Sequence, residues 1–185
     1  MNRLAALLVA VTLAACAPAV SVAPAASPQP APSAEPTFKP FVQREVAPDV
    51  PYLDPQNQKH HLSEAMGHFA FLIFFATYCP FCQEEVPKLQ AFLAKHQADD
   101  MRVIAIEATG ATAQAVEAFG VKFGVTMTLN HDTEKVAAMA FQIDNYPHIY
   151  TISPDGVVQE NHLGNASSDY YENMFRIYGK VGLAK

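Results

Sequence analysis

Two cysteines separated by two residues, Cys79-Pro80-Phe81-Cys82, follow closely after a run made only of Phe, Ala, Leu and Ile. This run, 69–76, has the length and composition of a strand that is covered on both faces of a sheet. Pro80 suits the first turn of a helix, where its missing N–H removes no hydrogen bond. The sequence therefore predicts a cysteine pair at the junction between a central strand and a helix, which requires a sheet with helices packed against it.

The hydrophobic pattern alternates between strands and helices from Val46 to about Tyr178. This order predicts an α/β fold with a central mixed β-sheet flanked by helices, followed by a C-terminal β-hairpin and a closing helix. The predicted strands are 69–76, 101–108, 148–152 and 157–162. The predicted helices are 80–96, 111–123, 133–141 and 169–178, with inward-facing residues Val116, Phe119, Val136, Met139, Tyr171, Phe175 and Tyr178.

Charge and length limit the kind of partner. The 185 residues include 12 Lys and Arg against 18 Asp and Glu, a formal net charge of −6. An acidic chain without a basic face is unsuited to hold a phosphate backbone, so nucleic acid is not an expected partner. Hydrophobic residues make up 50% of the chain, enough to bury the core of one domain.

The first 15 residues have the features of an export signal. Arg3 gives a basic start, an apolar stretch too short to cross a bilayer follows, and Ala14-Ala15 precedes Cys16. The segment Leu13-Ala14-Ala15-Cys16 resembles the lipobox of bacterial lipoproteins, in which the cysteine is acylated after cleavage just before it. This resemblance predicts a lipoprotein signal peptide at 1–15 and a lipid on Cys16. A plain secretory signal that is cut nearby is the alternative.

The stretch that follows is rich in Pro and Ala and is unsuited to pack a core. We interpret 16–45 as a stiff, lipid-anchored tether, about 90 Å long if it is fully extended. The folded domain is then 46–185. This organisation predicts a protein of the cell envelope that is attached to a membrane by its lipid, with the domain facing the periplasm or the cell exterior.

The cysteine pair at 79 and 82 has three interpretations. At a helix start the first sulfur meets free N–H groups, which favour its thiolate, and Cys82 lies within reach one turn later, as a resolving thiol must. A structural disulfide that closes so short a loop contributes only about 2 kcal/mol. A structural zinc site of this kind needs a second cysteine pair, which the chain does not have. The pattern favours a redox-active disulfide between Cys79 and Cys82, with no metal and no other cofactor.

A longer stretch carries a family resemblance. The segment from Phe75 to Leu89 resembles the active-site block of thioredoxin-like thiol-disulfide oxidoreductases of the TlpA and ResA type. Ala47-Pro48-Asp49 resembles the opening of that family, and Tyr146-Pro147 with 149–156 resembles its cis-proline strand and hairpin. The resemblance covers about residues 46–180 and implies a thioredoxin-like fold.

The resemblance also implies roles for individual residues. Cys79 is the nucleophile, Cys82 is the resolving cysteine, and Pro147 is a cis-proline packed against the pair. The backbone of Tyr146 is then free to pair with a substrate strand. The other residues expected to meet the substrate are Tyr78, Pro80 and Phe81. Two positions depart from the family pattern, because Tyr78 replaces the usual Trp and Ile73 stands where thioredoxin has a buried acid.

Glu85 is the candidate proton acceptor, since it matches the family's glutamate three residues after the second cysteine. It lies one helical turn from Cys82, where a carboxylate takes the thiol proton during attack. The alternative is a solvated surface glutamate, as expected for Glu84. His148 is a candidate for tuning the sulfurs, and Glu107 is expected to be a polar residue at a strand end.

By this resemblance the chain is an envelope oxidoreductase that exchanges disulfides with protein substrates through a mixed disulfide at Cys79, resolved by Cys82. Envelope members of the family often act as reductants, for example in cytochrome c maturation, so a membrane thiol reductase or oxidase is the expected electron partner. Two alternatives stay open. A copper-binding or copper-delivery protein on the same fold would use the two cysteines and a His. The spacing typical of such proteins is CxxxC, whereas the spacing here is CxxC. A thiol peroxidase would have Thr in place of Ala76.

Overall fold

A seven-stranded mixed sheet forms the centre of the computed structural model, which describes residues 45–181. The strands lie in the order β2-β1-β5-β4-β3-β6-β7. Their bounds are β1 Pro51–Leu53, β2 Lys59–His61, β3 Phe69–Phe75, β4 Met101–Glu107, β5 Leu129–His131, β6 His148–Ile152 and β7 Val158–Leu163. Strands β3, β4 and β5 are parallel, whereas β6 and β7 at one side, and β1 and β2 at the other, add antiparallel pairs.

Helices pack on both faces of this sheet. They are α1 Pro80–Lys95, α2 Ala113–Phe123, α3 Val136–Ala140 and α4 Ser168–Tyr178, and a short 3-10 helix, Leu62–Ala65, leads into β3. The hydroxyl-bearing side chains that precede α2 and α4 accept hydrogen bonds from backbone N–H groups of the first turn, which fixes where these helices begin. The predicted α/β architecture with a late hairpin and closing helix is confirmed.

The central strand β3 is buried along its whole length, as the apolar run predicted. Alternate side chains enter two cores: Phe69, Phe71, Ile73 and Phe75 pack with Cys82 and with side chains of α1, α2 and α4, and Ala70, Leu72 and Phe74 pack with α3 and the start of the described chain. Burying one such side chain contributes about 1.5–3 kcal/mol. Both cores therefore hold β3 in place, and its carboxyl end fixes the start of α1.

The elements at one edge of the sheet differ from the prediction. Strands β1, β2 and β5 have three residues each, too few for hydrophobic periodicity to reveal. Helix α3 is shorter than predicted because the Asp132 carboxylate accepts from the N–H groups of Val136 and Ala138 and starts the helix there. The prediction that Met139 faces inward was wrong, because it is 67% exposed. Val136 is half-buried, and the buried residues of this helix are Ala137 and Ala138.

The topology places the segment before β6 beside the start of α1. His148, the first residue of β6, pairs antiparallel with Phe74 near the end of β3. Val46 forms an isolated bridge with Val157 at the other end of β6 and β7. The described chain thus enters the sheet at the end opposite to the cysteines.

The predicted signal peptide 1–15, with Cys16, lies outside the described residues, as do almost all of the tether 16–45 and residues 182–185 of the predicted domain. Of the helices in the described range, none combines the length and the apolar character that crossing a membrane requires.

Candidate active site

Cys79 directly precedes the first turn of α1, where its backbone is still extended with φ −78° and ψ 120°. Pro80 takes the first helical position, and the N–H of Gln83 donates to the carbonyl oxygen of Cys79 at 3.2 Å. The free N–H groups of this turn form the positive end of the helix dipole. Cys79 is half-buried and unbridged, so a partly accessible thiol lies at the electropositive end of α1.

A backbone carbonyl from a distant segment faces this thiol. The Sγ of Cys79 lies 3.5 Å from the carbonyl oxygen of Tyr146. The peptide bond between Tyr146 and Pro147 is cis, and Pro147 is buried. The carbonyl oxygen of Pro147 accepts from the N–H of Gly164 at 2.8 Å, which ties this turn to the end of β7. The structure therefore brings together the cysteine pair and the Tyr-Pro segment that the sequence singled out.

Cys82 lies in a different environment from Cys79. It is fully buried on α1, and its Sγ accepts a hydrogen bond from the N–H of Ala76 at 3.5 Å. Burial raises the pKa of the Cys82 thiol well above its ordinary value, and the neighbouring Cys79 and Glu85 raise it further, against the opposing effect of the Ala76 N–H. The pair is therefore asymmetric: one thiol is accessible at the helix start, and the other is buried and held protonated.

Aromatic side chains flank the accessible thiol. Tyr78 is 70% exposed and Phe81 is 60% exposed, and Pro80 between the cysteines is exposed as well. Exposed aromatic side chains are enriched where proteins contact partners, because they bury a large area at a small entropic cost. The residues that were expected to meet a substrate thus form an open apolar rim beside Cys79.

Glu85 is fully buried, so its interpretation as a solvated surface residue is wrong, whereas Glu84 is exposed as predicted. One Glu85 carboxylate oxygen accepts from the Tyr171 hydroxyl of α4. The other accepts from Lys88 Nζ at 2.7 Å and from the N–H of Ala166 at 3.1 Å. Three donors from three segments therefore surround this carboxylate.

None of these three donors to Glu85 was predicted from the sequence. Lys88 lies three residues after Glu85, a spacing that places the two side chains on one face of a helix, and this signal was available. Tyr171 was correctly placed on the inward face of the last helix, but it lies 86 residues from Glu85. No local pattern predicts a contact over that separation.

Glu107 is more than a strand-end residue. It is fully buried, and its carboxylate accepts from the N–H of Thr109 at 3.1 Å, from the Thr109 hydroxyl at 2.5 Å and from the N–H of Ala111 at 3.0 Å. These bonds fix the loop after β4, where the carbonyl oxygen of Ala108 accepts from the Tyr146 hydroxyl at 3.2 Å. Burial raises the pKa of Tyr146 to about 12, so its hydroxyl remains a donor. Glu107 thus supports Tyr146 through this loop.

His148 lies away from the cysteine face of the sheet. Its ring stacks on Tyr150 with centroids 4.7 Å apart, and it shares a face with Phe74, whereas Cys82 packs in the core on the other face. Burial lowers the pKa of His148. This placement gives no support to its interpretation as a residue that tunes the sulfurs.

The residues of the described range also bear on the metal alternatives. Between residues 45 and 181, no group of three or more His, Cys, Asp and Glu side chains is placed to hold a metal ion. The arrangement instead offers two thiols of unequal exposure, a backbone acceptor and a buried carboxylate.

Comparisons with known proteins identify the family of this chain. The model of the AhpC/TSA family matches residues 44–161, more than half of the chain. Thioredoxin-like protein YneN of Bacillus subtilis (strain 168) is 30% identical over 128 residues, which cover 68% of this chain and 74% of YneN. Thiol-disulfide oxidoreductase ResA of Geobacillus kaustophilus (strain HTA426) is 25% identical over 126 residues, 68% of this chain and 72% of ResA.

A solved structure extends the comparison to the fold. A secreted Mycobacterium tuberculosis disulfide oxidoreductase superposes with a TM-score of 0.61 and 19% identity, covering 69% of this chain and 95% of the other. At this identity the likeness concerns the fold alone. Together with the sequence matches, it shows that the chain has the predicted thioredoxin-like fold and belongs to the AhpC/TSA family.

Proposed function

We propose that the chain is a protein thiol-disulfide oxidoreductase. The observation that carries this proposal is the asymmetry of the two thiols of α1, with Cys79 accessible at the helix start and Cys82 buried one turn later. A pair of this kind separates attack on a substrate from release of the substrate. The names of the relatives YneN and ResA describe thioredoxin-like and thiol-disulfide chemistry, and nothing in these comparisons supports the copper alternative.

The reduced pair acts in two steps. The Cys79 thiolate attacks one sulfur of a substrate disulfide, a bond forms between the two sulfurs, and the other substrate sulfur leaves as a thiolate. Cys82 then gives up its proton and attacks Cys79 Sγ, which expels the second substrate thiolate. The products are the Cys79–Cys82 disulfide and a substrate dithiol, so two electrons pass to the substrate. The same steps in reverse oxidise a dithiol.

Glu85 takes the proton of Cys82 in the second step. The position of this carboxylate supports the role, because it is buried close enough for its charge to raise the pKa of Cys82. A base in a site from which water is excluded acts without competition from solvent. The pair itself carries the electrons, and no further cofactor or metal takes part.

The substrate is a polypeptide that approaches over Tyr78, Pro80 and Phe81. The carbonyl oxygen of Tyr146 next to Cys79 supports this view, since a backbone acceptor beside the reacting sulfur suits an extended partner strand. Pro147 follows this carbonyl directly and precedes the first residue of β6.

The proposed location is the cell envelope, with the domain facing the periplasm or the cell exterior. The signal-like residues 1–15 and the lipobox-like segment that ends at Cys16 support export and lipid anchoring, followed by the tether 16–45 and the domain 46–185. A relative in fold is described as secreted. A lipid-anchored protein is confined near the membrane, so a membrane thiol reductase or oxidase is the proposed electron partner.

Trapping of the intermediate tests the proposal. Cys82→Ser removes the resolving thiol and retains the start of α1, so it should accumulate covalent adducts with envelope proteins that dithiothreitol releases. Cys79→Ser is the matched control and should accumulate few. Equal trapping by the two variants would contradict the assigned roles. Rapid peroxide consumption without any trapped protein would favour a thiol peroxidase, despite Ala76 at the position of its usual Thr.

A further inference from the structure

The carboxylate of Glu85 has the donors that an ionised group needs in a buried site. Lys88 Nζ lies 2.7 Å from one carboxylate oxygen and 2.6 Å from the carbonyl oxygen of Ala166, so the ammonium is bound at two points. The N–H of Ala166 reaches the same carboxylate oxygen, and the Tyr171 hydroxyl donates to the other. Between residues 45 and 181, neither cysteine sulfur is among the hydrogen-bond partners of Glu85.

A buried carboxylate without partners takes up a proton, because an unpaired charge in a low-dielectric site is strongly unfavourable. A protonated Glu85 has no capacity to accept the proton of Cys82. The donors around Glu85 therefore decide whether a base is available for the second step of exchange.

We propose that Lys88 and Tyr171 are positioning residues that keep Glu85 in its charged, proton-accepting form for the resolving step at Cys82. This inference rests on the proposed function and names the residues that control one of its steps. Lys88 supplies the charge that balances Glu85, and Tyr171 fixes the orientation of the carboxylate from α4. Lys88 is 29% exposed on its side chain, so it also links the buried carboxylate to solvent.

Other titratable groups face the same site. They are Cys82 from α1 and Tyr170 from α4, in addition to Lys88 and Tyr171. Burial raises the pKa of Tyr170 to about 12 and that of Tyr171 further, so both hydroxyls remain donors across the physiological range. Lys88 is thus the cation that the structure places against Glu85 in this part of the chain.

A single assay separates the two steps of exchange, with the aromatic disulfide dithiobis(nitrobenzoate) as the substrate. Attack by Cys79 releases one coloured thiolate, and attack by Cys82 on the resulting mixed disulfide releases a second. Stopped-flow absorbance then gives a first phase for Cys79 and a second phase for Cys82. The variants are Lys88→Met, Lys88→Arg and Tyr171→Phe, with the exposed Lys95→Met and the neighbouring Tyr170→Phe as matched controls.

We expect Lys88→Met to slow the second phase about tenfold near neutral pH and to leave the first phase unchanged. Lys88→Arg retains the charge and should restore most of the rate. Tyr171→Phe should slow the second phase by about threefold, whereas both controls should match the wild type.

A second phase of Lys88→Met as fast as that of the wild type, or faster, would overturn the inference, because the Glu85 charge would then only oppose ionisation of Cys82. A melting curve of each variant shows whether it is folded. If Lys88→Met is not folded, Tyr171→Phe and Lys88→Arg test the same positioning role. Absence of both phases in the wild type would instead contradict the proposed function.

Discussion

The Sγ of Cys79 and the carbonyl oxygen of Tyr146 lie 3.5 Å apart, although 67 residues separate them in the chain. The sheet creates this contact, because β6 runs antiparallel to β3 and starts where β3 ends. The reacting sulfur therefore has a backbone acceptor beside it on the side from which a substrate strand arrives.

Alkylation should distinguish the two thiols. In the reduced protein, iodoacetamide should label Cys79 first, since Cys82 is fully buried and burial raises its pKa. Mass spectrometry of digests taken across a pH series measures the ratio of the two labels. Cys82→Ser should retain the labelling rate of the wild type. Preferential labelling of Cys82 would reverse the proposed roles.

Glu107 should stabilise the loop that supports Tyr146. Glu107→Gln replaces an acceptor by an amide group that cannot satisfy all three donors of Thr109 and Ala111, so the free energy of unfolding should fall by about 2 kcal/mol. Urea unfolding measures this change. Glu117→Gln, at an exposed position of α2, is the control and should shift the midpoint little. If both substitutions lower the free energy of unfolding equally, the proposed role of Glu107 in this loop is wrong.

His148 should make the stability dependent on pH. Burial lowers its pKa in the folded state relative to the ordinary value of 6.5, so the unfolded chain binds the proton more readily. The contribution of His148 is therefore fully present above about pH 6.5 and is lost as the pH falls through the lower folded pKa. His148→Phe retains a ring against Tyr150 and should show a smaller loss of stability on acidification. If the free energy of unfolding falls on acidification by the same amount in His148→Phe and in the wild type, this prediction is wrong.

The sequence predicted the central features of this structure because they depend on local patterns. The apolar run of β3 and the Pro80 helix start have strong periodic and positional signals, and they located the cysteine pair. The donors of Glu85 come from α1, from α4 and from the loop before α4. Such a site depends on tertiary packing, which hydrophobic periodicity does not encode. The short strands β1 and β5 were not predicted, because three residues are too few to show the two-residue alternation of a strand twice.

The proposed lipid on Cys16 predicts a partitioning behaviour. Cys16→Ser should move the protein from the detergent phase to the aqueous phase, because a lipid chain contributes about 0.8 kcal/mol per buried CH₂ group and nothing comparable replaces it. The rates of the two thiol phases should stay the same, which is the internal control. Unchanged partitioning of Cys16→Ser would contradict the anchor and favour a plain secretory signal.

The charge around Cys79 should select among partners. The stretches 60–87 and 136–175 supply both cysteines and Tyr146, and they contain Asp and Glu but neither Lys nor Arg. Glu84 is exposed on α1, and Asp144 is exposed two residues before Tyr146. A negative field at this end of the domain raises the local concentration of cationic partners and speeds their encounter. Exchange with a lysine-bearing disulfide peptide should therefore be about tenfold faster than with the same peptide carrying glutamate.

Screening by salt separates this effect from the intrinsic reactivity of the peptides. At low salt the two rates should differ most, and the difference should almost vanish near 1 M salt, where the Debye length falls to about 3 Å. The variant with Glu84→Gln and Asp144→Asn should reduce the preference already at low salt. A variant with Glu117→Gln, on α2, should keep the preference of the wild type, because its charge lies outside the two stretches. A preference for the lysine peptide that persists at high salt would show that contacts other than charge select the partner.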